Sequence, residues 1–258
     1  MRSFKLAVFA FISIVCANAR AQSSDSLIVK GKAMIAAALK QEDANELFNA
    51  RAHFERLLSD KSREALVHYY IAYCDYRYVT AYARRQNQPA ETIDKYLEEA
   101  IAHLEKAVES NAKSAEAHAL LASCYGQKIG GNPMLGMTLG PKSSAEIGTA
   151  LRLEPENPRV VMLDAISKYY TPAMFGGDRD LALAGFKRSA EIFEKKNSTD
   201  PLQPDWGHAE AYAWVGMAYL DKGDKASART ALDRALAIEP DFGWVKHALY
   251  PKLETAQK

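Results

Sequence analysis

"AEAYAWVGMAYLDKGDKASARTALDRALAIEPDF", residues Ala209–Phe242, decides the fold. Its apolar and small residues recur at helical spacing on both sides of "DKGD", Asp221–Asp224, whose glycine and aspartates read as a tight turn. Gly216 and Ala228 are small enough to let two antiparallel helices approach closely. Val215, Leu232 and Leu236 are placed to fill the space between them. Pro240 cannot continue a helix interior, so the second helix stops there.

The stretch resembles a tetratricopeptide repeat, a helical hairpin of about 34 residues with a W-x2-L-G-x2-Y, A-x3-F and terminal P pattern. Tyr212 stands in the Trp slot and Val215 in the Leu slot; Gly216 and Tyr219 match, Ala228 and Leu232 fill the A-x3-F pair, and Pro240 closes the unit. Looser relatives lie upstream. "AEAHALLASCYG" (115–126) parallels the first helix of the last unit, and "IGTALRLEP" (147–155) parallels the end of its second. "ALVHYYIAYCDY" (65–76) pairs with "AIAHLEKAVE" (100–109) across a break at Gln86–Pro89. "ARAHFERLLSD" (50–60) marks an N-terminal unit, and "VVMLDAISKYY" (160–170) pairs with "LALAGFKRSAEIF" (181–193). The expected fold is all-α: about five stacked antiparallel hairpins forming a TPR-like solenoid, with "GWVKHALYPKL" as a C-terminal capping helix. No alternation of Val, Ile and Thr suggests a strand.

The N-terminus reads as an address rather than as fold. Arg2 and Lys5 precede an apolar run from Leu6 to Cys16, and Ala19-Arg20-Ala21 offers an A-x-A cleavage site. This predicts a signal peptide over residues 1–21, a single helical domain over 22–258, and an exported protein, periplasmic or extracellular. The run is shorter than the roughly 20 residues that a membrane anchor needs. A lipid attachment at Cys16 is disfavoured by the bulk of Val15 before it. Cleavage removes Arg2, Lys5 and Arg20, leaving thirty basic against thirty-two acidic residues. That balance argues against nucleic acid as a partner. Cys74 and Cys124 would then be the only cysteines. Export permits a disulfide between them, while their apolar surroundings suit buried thiols.

Catalytic and metal signatures are missing. His68 and His118 occupy equivalent repeat positions, as do His53 and His103, so inheritance of the repeat explains them without a metal. There is no H-E-x-x-H, no G-x-S-x-G and no phosphate-binding glycine loop; Gly130-Gly131 and Gly176-Gly177 read as turns. Glu98-Glu99 reads as a solvated helix face. The sequence points to no cofactor, no metal and no enzyme.

Two features stand out as candidate binding residues. Tyr69, Tyr73 and Tyr76 share one helical face; they either pack between hairpins or line a concave groove. The turns "GQKIGGNPMLGMTLGPKS" (126–143) and "YYTPAMFGGD" (169–178) are apolar, with Met134, Leu135, Met137, Met174 and Phe175. Stacking of consecutive hairpins would bring these turns to one edge, where they either fold inward over each other or form a binding lip. The family resemblance implies a scaffold for a protein or peptide partner on the concave face. A faint likeness to exported TPR-like accessories of transport systems offers a second reading, binding of an apolar small molecule.

Overall fold

The computed structural model describes residues 24–195 and 199–255, so the expected leader over 1–21 lies outside the described residues. Within them, eleven helices pair into five hairpins and a cap. They are α1 (24–41) with α2 (Ala44–Glu55), α3 (Glu64–Arg77) with α4 (Ala90–Ser110), α5 (Ala115–Gly131) with α6 (Gly136–Leu153), α7 (Pro158–Tyr170) with α8 (Arg179–Lys195), α9 (His208–Asp221) with α10 (Lys225–Ile238), and α11 (Tyr250–Thr255). Among the described residues there is no strand, and no helix is long and apolar enough to cross a membrane.

Side-chain caps set where the helices begin. Asp43 accepts from the Asn45 amide at 2.8 Å, Asn157 from the Arg159 amide at 3.0 Å, and Asp224 from the Ser227 amide at 3.0 Å. Each satisfies amides that the first helical turn leaves without partners. Helix α3 does not stop at Arg77; it widens into a π-helical stretch, Tyr78–Ala83, which carries the Tyr82 hydroxyl to the Ala38 carbonyl at 2.9 Å. Val245–Leu249 is likewise π-helical, and with α11 it forms the cap. Val245, Leu249 and Leu253 cover Ala213, Ala228 and Leu232 of the last hairpin.

The turn between α5 and α6 is shorter than the glycine and proline density of 126–143 suggests. Helix α5 runs through Gly130-Gly131, and α6 already contains Pro141. Asn132 starts the return by accepting from the Met134 amide at 3.2 Å, and Ser143 is buried with its hydroxyl on the Ala122 carbonyl at 2.9 Å.

Small residues draw the hairpins together as expected at Gly216, where a Cβ would lie 2.5 Å from Leu232 Cδ2. The less forgiving case is Gly185 on α8, whose Cβ would meet Ala165 Cβ of α7 at 2.8 Å. A Cβ cannot rotate away, so the two helices would have to move apart. Gly185→Ala is therefore expected to destabilise by about 1–3 kcal/mol, despite the gain of about 1 kcal/mol that alanine normally brings to a helix. Urea unfolding of the variant measures the net sign.

The superhelix turns far enough for its two ends to meet. Lys40 of α1 pairs with Asp241 at 3.4 Å, Arg77 pairs with Glu210 of α9, and Gly243 lies so close to Glu42 that a Cβ there would clash.

Candidate functional site

The first helices of the hairpins adjoin one another: Tyr69 of α3 reaches Glu116 of α5, and Arg77 of α3 pairs with Glu210 of α9. Tyr69, Tyr73 and Tyr76 do lie together on this side, but all three are buried. The segment that covers Tyr69 and Tyr73 is the chain's own. Residues 199–207 form a non-helical strap between α8 and α9, and Trp206 stacks on Tyr73 with ring centroids 5.1 Å apart. The Trp206 indole donates to the Tyr69 hydroxyl at 3.0 Å, and Tyr69 donates in turn to Glu116 of α5 at 3.3 Å. Tyr76 is occupied elsewhere, accepting from Ser123 at 3.4 Å. The tyrosines therefore form no open groove.

Beneath the strap lies a buried ion pair. Arg159 Nε of α7 donates to both Glu116 oxygens, at 2.7 and 2.8 Å, and Asn157 adds a third bond to the carboxylate at 3.0 Å. Burial works against the Arg159 charge, yet Glu116 outweighs it and raises the guanidinium pKa. Burial also pushes the Tyr69 and Tyr73 hydroxyls well above their ordinary pKa, which keeps them protonated and able to donate. No water-exposed nucleophile or paired acid and base emerges here.

The turn edge is different. Met134, Met137, Met174 and Phe175 are between 71% (Phe175) and 90% (Met137) exposed, so these turns do not fold inward over each other. Leu135 is half-buried, and Tyr170 and Leu181 are exposed nearby. The α7–α8 turn is framed by its own backbone. Asp178 caps α8 by accepting from the Asp180 and Leu181 amides at 2.8 and 2.9 Å. Gly176 takes a positive φ of 92°, and a Cβ at Gly177 would strike the Thr171 carbonyl oxygen. The turns α5–α6 and α7–α8 lie at the same end of consecutive hairpins, and polar contacts line that end. Arg84 reaches Gln127 at 2.8 Å, and Arg179 and Lys222 reach Asp221 and Asp180 at 3.3 and 2.5 Å. Arg84 and Arg179 both lie within electrostatic reach of the Tyr170 hydroxyl.

The remaining candidates are structural. Cys74 and Cys124 are buried free thiols, and burial raises both far above the range of a reactive cysteine. No group of three or more His, Cys, Asp or Glu side chains among the described residues is arranged to hold a metal. His68 and His103 face each other with Nδ1 atoms 2.7 Å apart, a pairing across one hairpin that repeat equivalence does not reveal. A second surface feature is a groove of about 420 Å³ lined by Glu105, Leu121, Tyr125 and Lys142 beside the His118–Glu146 pair.

Comparison with known proteins agrees with this architecture. A tetratricopeptide-repeat family profile matches residues 209–242. The Hsp70-Hsp90 organizing protein of Triticum aestivum is 34% identical over 86 residues, 33% of this chain; the match spans 14% of that relative's length. Among solved structures, the HusA haemophore from Porphyromonas gingivalis is similar at 26% identity and a TM-score of 0.62, over 76% of this chain and 92% of the other. A thermophilic TPR protein of Thermus thermophilus has a TM-score of 0.61 at 14% identity, over 90% of this chain and 98% of its own, and speaks to fold alone. One repeat, residues 209–242, thus matches the tetratricopeptide-repeat profile in sequence, and the described hairpins stack in a TPR-like manner.

Proposed function

We propose that this chain is an exported, non-catalytic binding protein that takes a flat apolar ligand of the porphyrin class on its turn edge. The observation that carries this reading is the exposure of Met134, Met137, Met174 and Phe175 on turns of consecutive hairpins. Exposed large apolar side chains on turns of consecutive hairpins mark an interaction site where they form one contiguous patch. Thioethers and a phenyl ring suit the face of a conjugated macrocycle, because they are polarizable and adapt their shape. Arg84 and Arg179, whose charges act on the Tyr170 hydroxyl, suit carboxylate groups at its rim. The similarity to a haemophore points to the same ligand class. None of the six histidines falls within either turn. Apolar contact rather than an imidazole–iron bond would thus dominate, and the metal-free ring is expected to bind nearly as well as the iron-loaded one.

A second reading keeps the edge and changes the occupant to a protein or peptide, as the likeness to the Hsp70-Hsp90 organizing protein suggests. Export rests on the basic start, apolar run and A-x-A site of residues 1–21.

Titration with iron-loaded and metal-free protoporphyrin, followed by absorbance and tryptophan quenching, tests the first reading. Saturable binding is expected. In Met174→Asp/Phe175→Ser it should weaken by about tenfold or more, with the melting temperature nearly unchanged because both side chains are exposed. Failure of both rings to bind the wild type would sink the porphyrin reading and leave the protein partner.

A further inference from the structure

The strap over residues 199–207 is held largely through its main chain. Its backbone carbonyls, not only its side chains, are read by donors from three different helices. Lys32 of α1 donates to the Pro201 and Gln203 carbonyls at 2.7 and 2.6 Å, and pairs with Asp205 at 3.2 Å. Tyr70 of α3 donates to the Leu202 carbonyl at 2.7 Å, and Arg159 of α7 donates to the Trp206 carbonyl at 3.0 Å. One aromatic anchor, Trp206, stacks on Tyr73. Side-chain donors to main-chain carbonyls plus a single aromatic anchor are a mode of recognising a segment without regular structure.

Two observations separate this strap from ordinary core. Pro201, Gln203 and Asp205 are exposed and Leu202 and Trp206 half-buried, while Pro204 and Gly207 are buried, so the strap crosses the face and is seated in it at those two points. The fit is also incomplete, for the buried Tyr73 hydroxyl beneath Trp206 finds no hydrogen-bond partner among the described residues. An unsatisfied buried donor is a cost that a ligand able to reach it would recover. Lifting the strap would leave Lys32, Tyr70 and Arg159 with donors that a peptide backbone can satisfy. Gly207, with φ of 107° and close packing on Phe193, turns the chain sharply from the strap into α9 and anchors its end.

We propose that residues 199–207 are an internal ligand of the concave face, and that the face beneath them receives a partner peptide of the same chemistry: a short segment with an Asp-Pro turn and a tryptophan preceded by an acid. The strap keeps the face closed until such a peptide displaces it. This surface is separate from the turn edge, and its use does not depend on the edge binding a porphyrin.

The test replaces residues 200–206 with a glycine-serine linker of equal length and supplies the segment 199–207 as a free capped peptide. The variant is expected to keep its helical circular dichroism and melt at a lower temperature. The peptide should bind it saturably and raise its melting temperature toward that of the wild type. A peptide with alanine in place of Trp206 should bind about tenfold or more weakly. The wild type should bind the intact peptide far more weakly, because a tethered competitor acts at roughly millimolar effective concentration. A folded variant that ignores the peptide overturns the proposal. Should the variant fail to fold, amide exchange on the wild type decides. Exchange of the strap amides while α3, α5 and α7 stay protected supports an internal ligand, and exchange of all of them in one step shows the strap to be core and overturns it.

Discussion

Arg51→Met is expected to destabilise the protein by about 3–5 kcal/mol, the usual cost of stranding one member of a buried ion pair. Arg51 of α2 donates from Nε to Asp75 at 2.6 Å, from Nη1 to Glu55 at 2.5 Å and from Nη2 to Glu99 at 2.6 Å, tying α2, α3 and α4 together. Asp75 is wholly buried, and its second oxygen has no hydrogen-bond partner among the described residues. Burial already pushes its carboxyl up to about 7 in spite of Arg51. Arg51 itself is held above its ordinary value, since three carboxylates together outweigh its own desolvation. Without the guanidinium, Asp75 must take up a proton or draw in water, and either loosens the contact of α3 with its neighbours. The double change Arg51→Met/Asp75→Leu should recover much of the loss, because it removes the stranded charge as well. Urea unfolding of wild type, single and double variants measures both effects. A single-variant cost below about 1 kcal/mol would mean that the pair is solvated and the account is wrong.

Acidification should destabilise the protein through His103. Burial is the main cause that lowers its pKa to about 4, helped by His68, Arg51 and Lys106. His68 is lowered too, by burial and by Lys106 and Lys61, against the opposing pull of Glu64. The geometry agrees: with the Nδ1 atoms 2.7 Å apart, one ring must accept what the other donates. A base whose pKa falls on folding binds fewer protons when folded. The stability it contributes is therefore complete above about pH 6.5 and is lost as the pH falls toward about 4. Between pH 7 and 4.5 this amounts to about 2 kcal/mol, after allowance for partial exposure of the ring. Asp75 acts with the opposite sign, since its raised carboxyl favours the folded state as the pH falls below about 7. The two are separated by His103→Gln, whose amide can still bond His68. The advantage of wild type over this variant should shrink by about 2 kcal/mol from pH 7 to 4.5, measured by urea unfolding at each pH. An advantage constant with pH would show that His103 does not titrate in this range.

The last hairpin is legible in full because its signal is local. The spacing of Gly216, Ala228 and Leu232 reports directly on how close two helices come, and the structure places them in contact. What escapes the sequence depends on residues far apart in the chain. The tyrosine face can be read as a groove because its cover, Trp206, arrives more than 130 residues later in a segment without periodicity. Repeat equivalence matches His68 with His118 and His103 with His53, whereas side-chain contact joins His68 to His103 across the hairpin. The turn residues Met134, Leu135, Met137, Met174 and Phe175 are visibly unusual in the sequence, but composition alone favours their packing inward over each other, whereas four of them are exposed. Glycine and proline density overstates the α5–α6 turn, because Asn132 reverses the chain with a single side-chain bond.

The meeting of Lys40 with Asp241, and of Glu42 with Gly243, changes what kind of polymer this array is. An open solenoid behaves as a linear chain of neighbours, in which terminal repeats fray first and cheaply. Joining the first hairpin to the cap makes the chain of repeats a ring, so a terminal unit is lost only by breaking two interfaces. Melting should then be sharp and nearly all-or-none, and removal of either end should lower the stability of the opposite one.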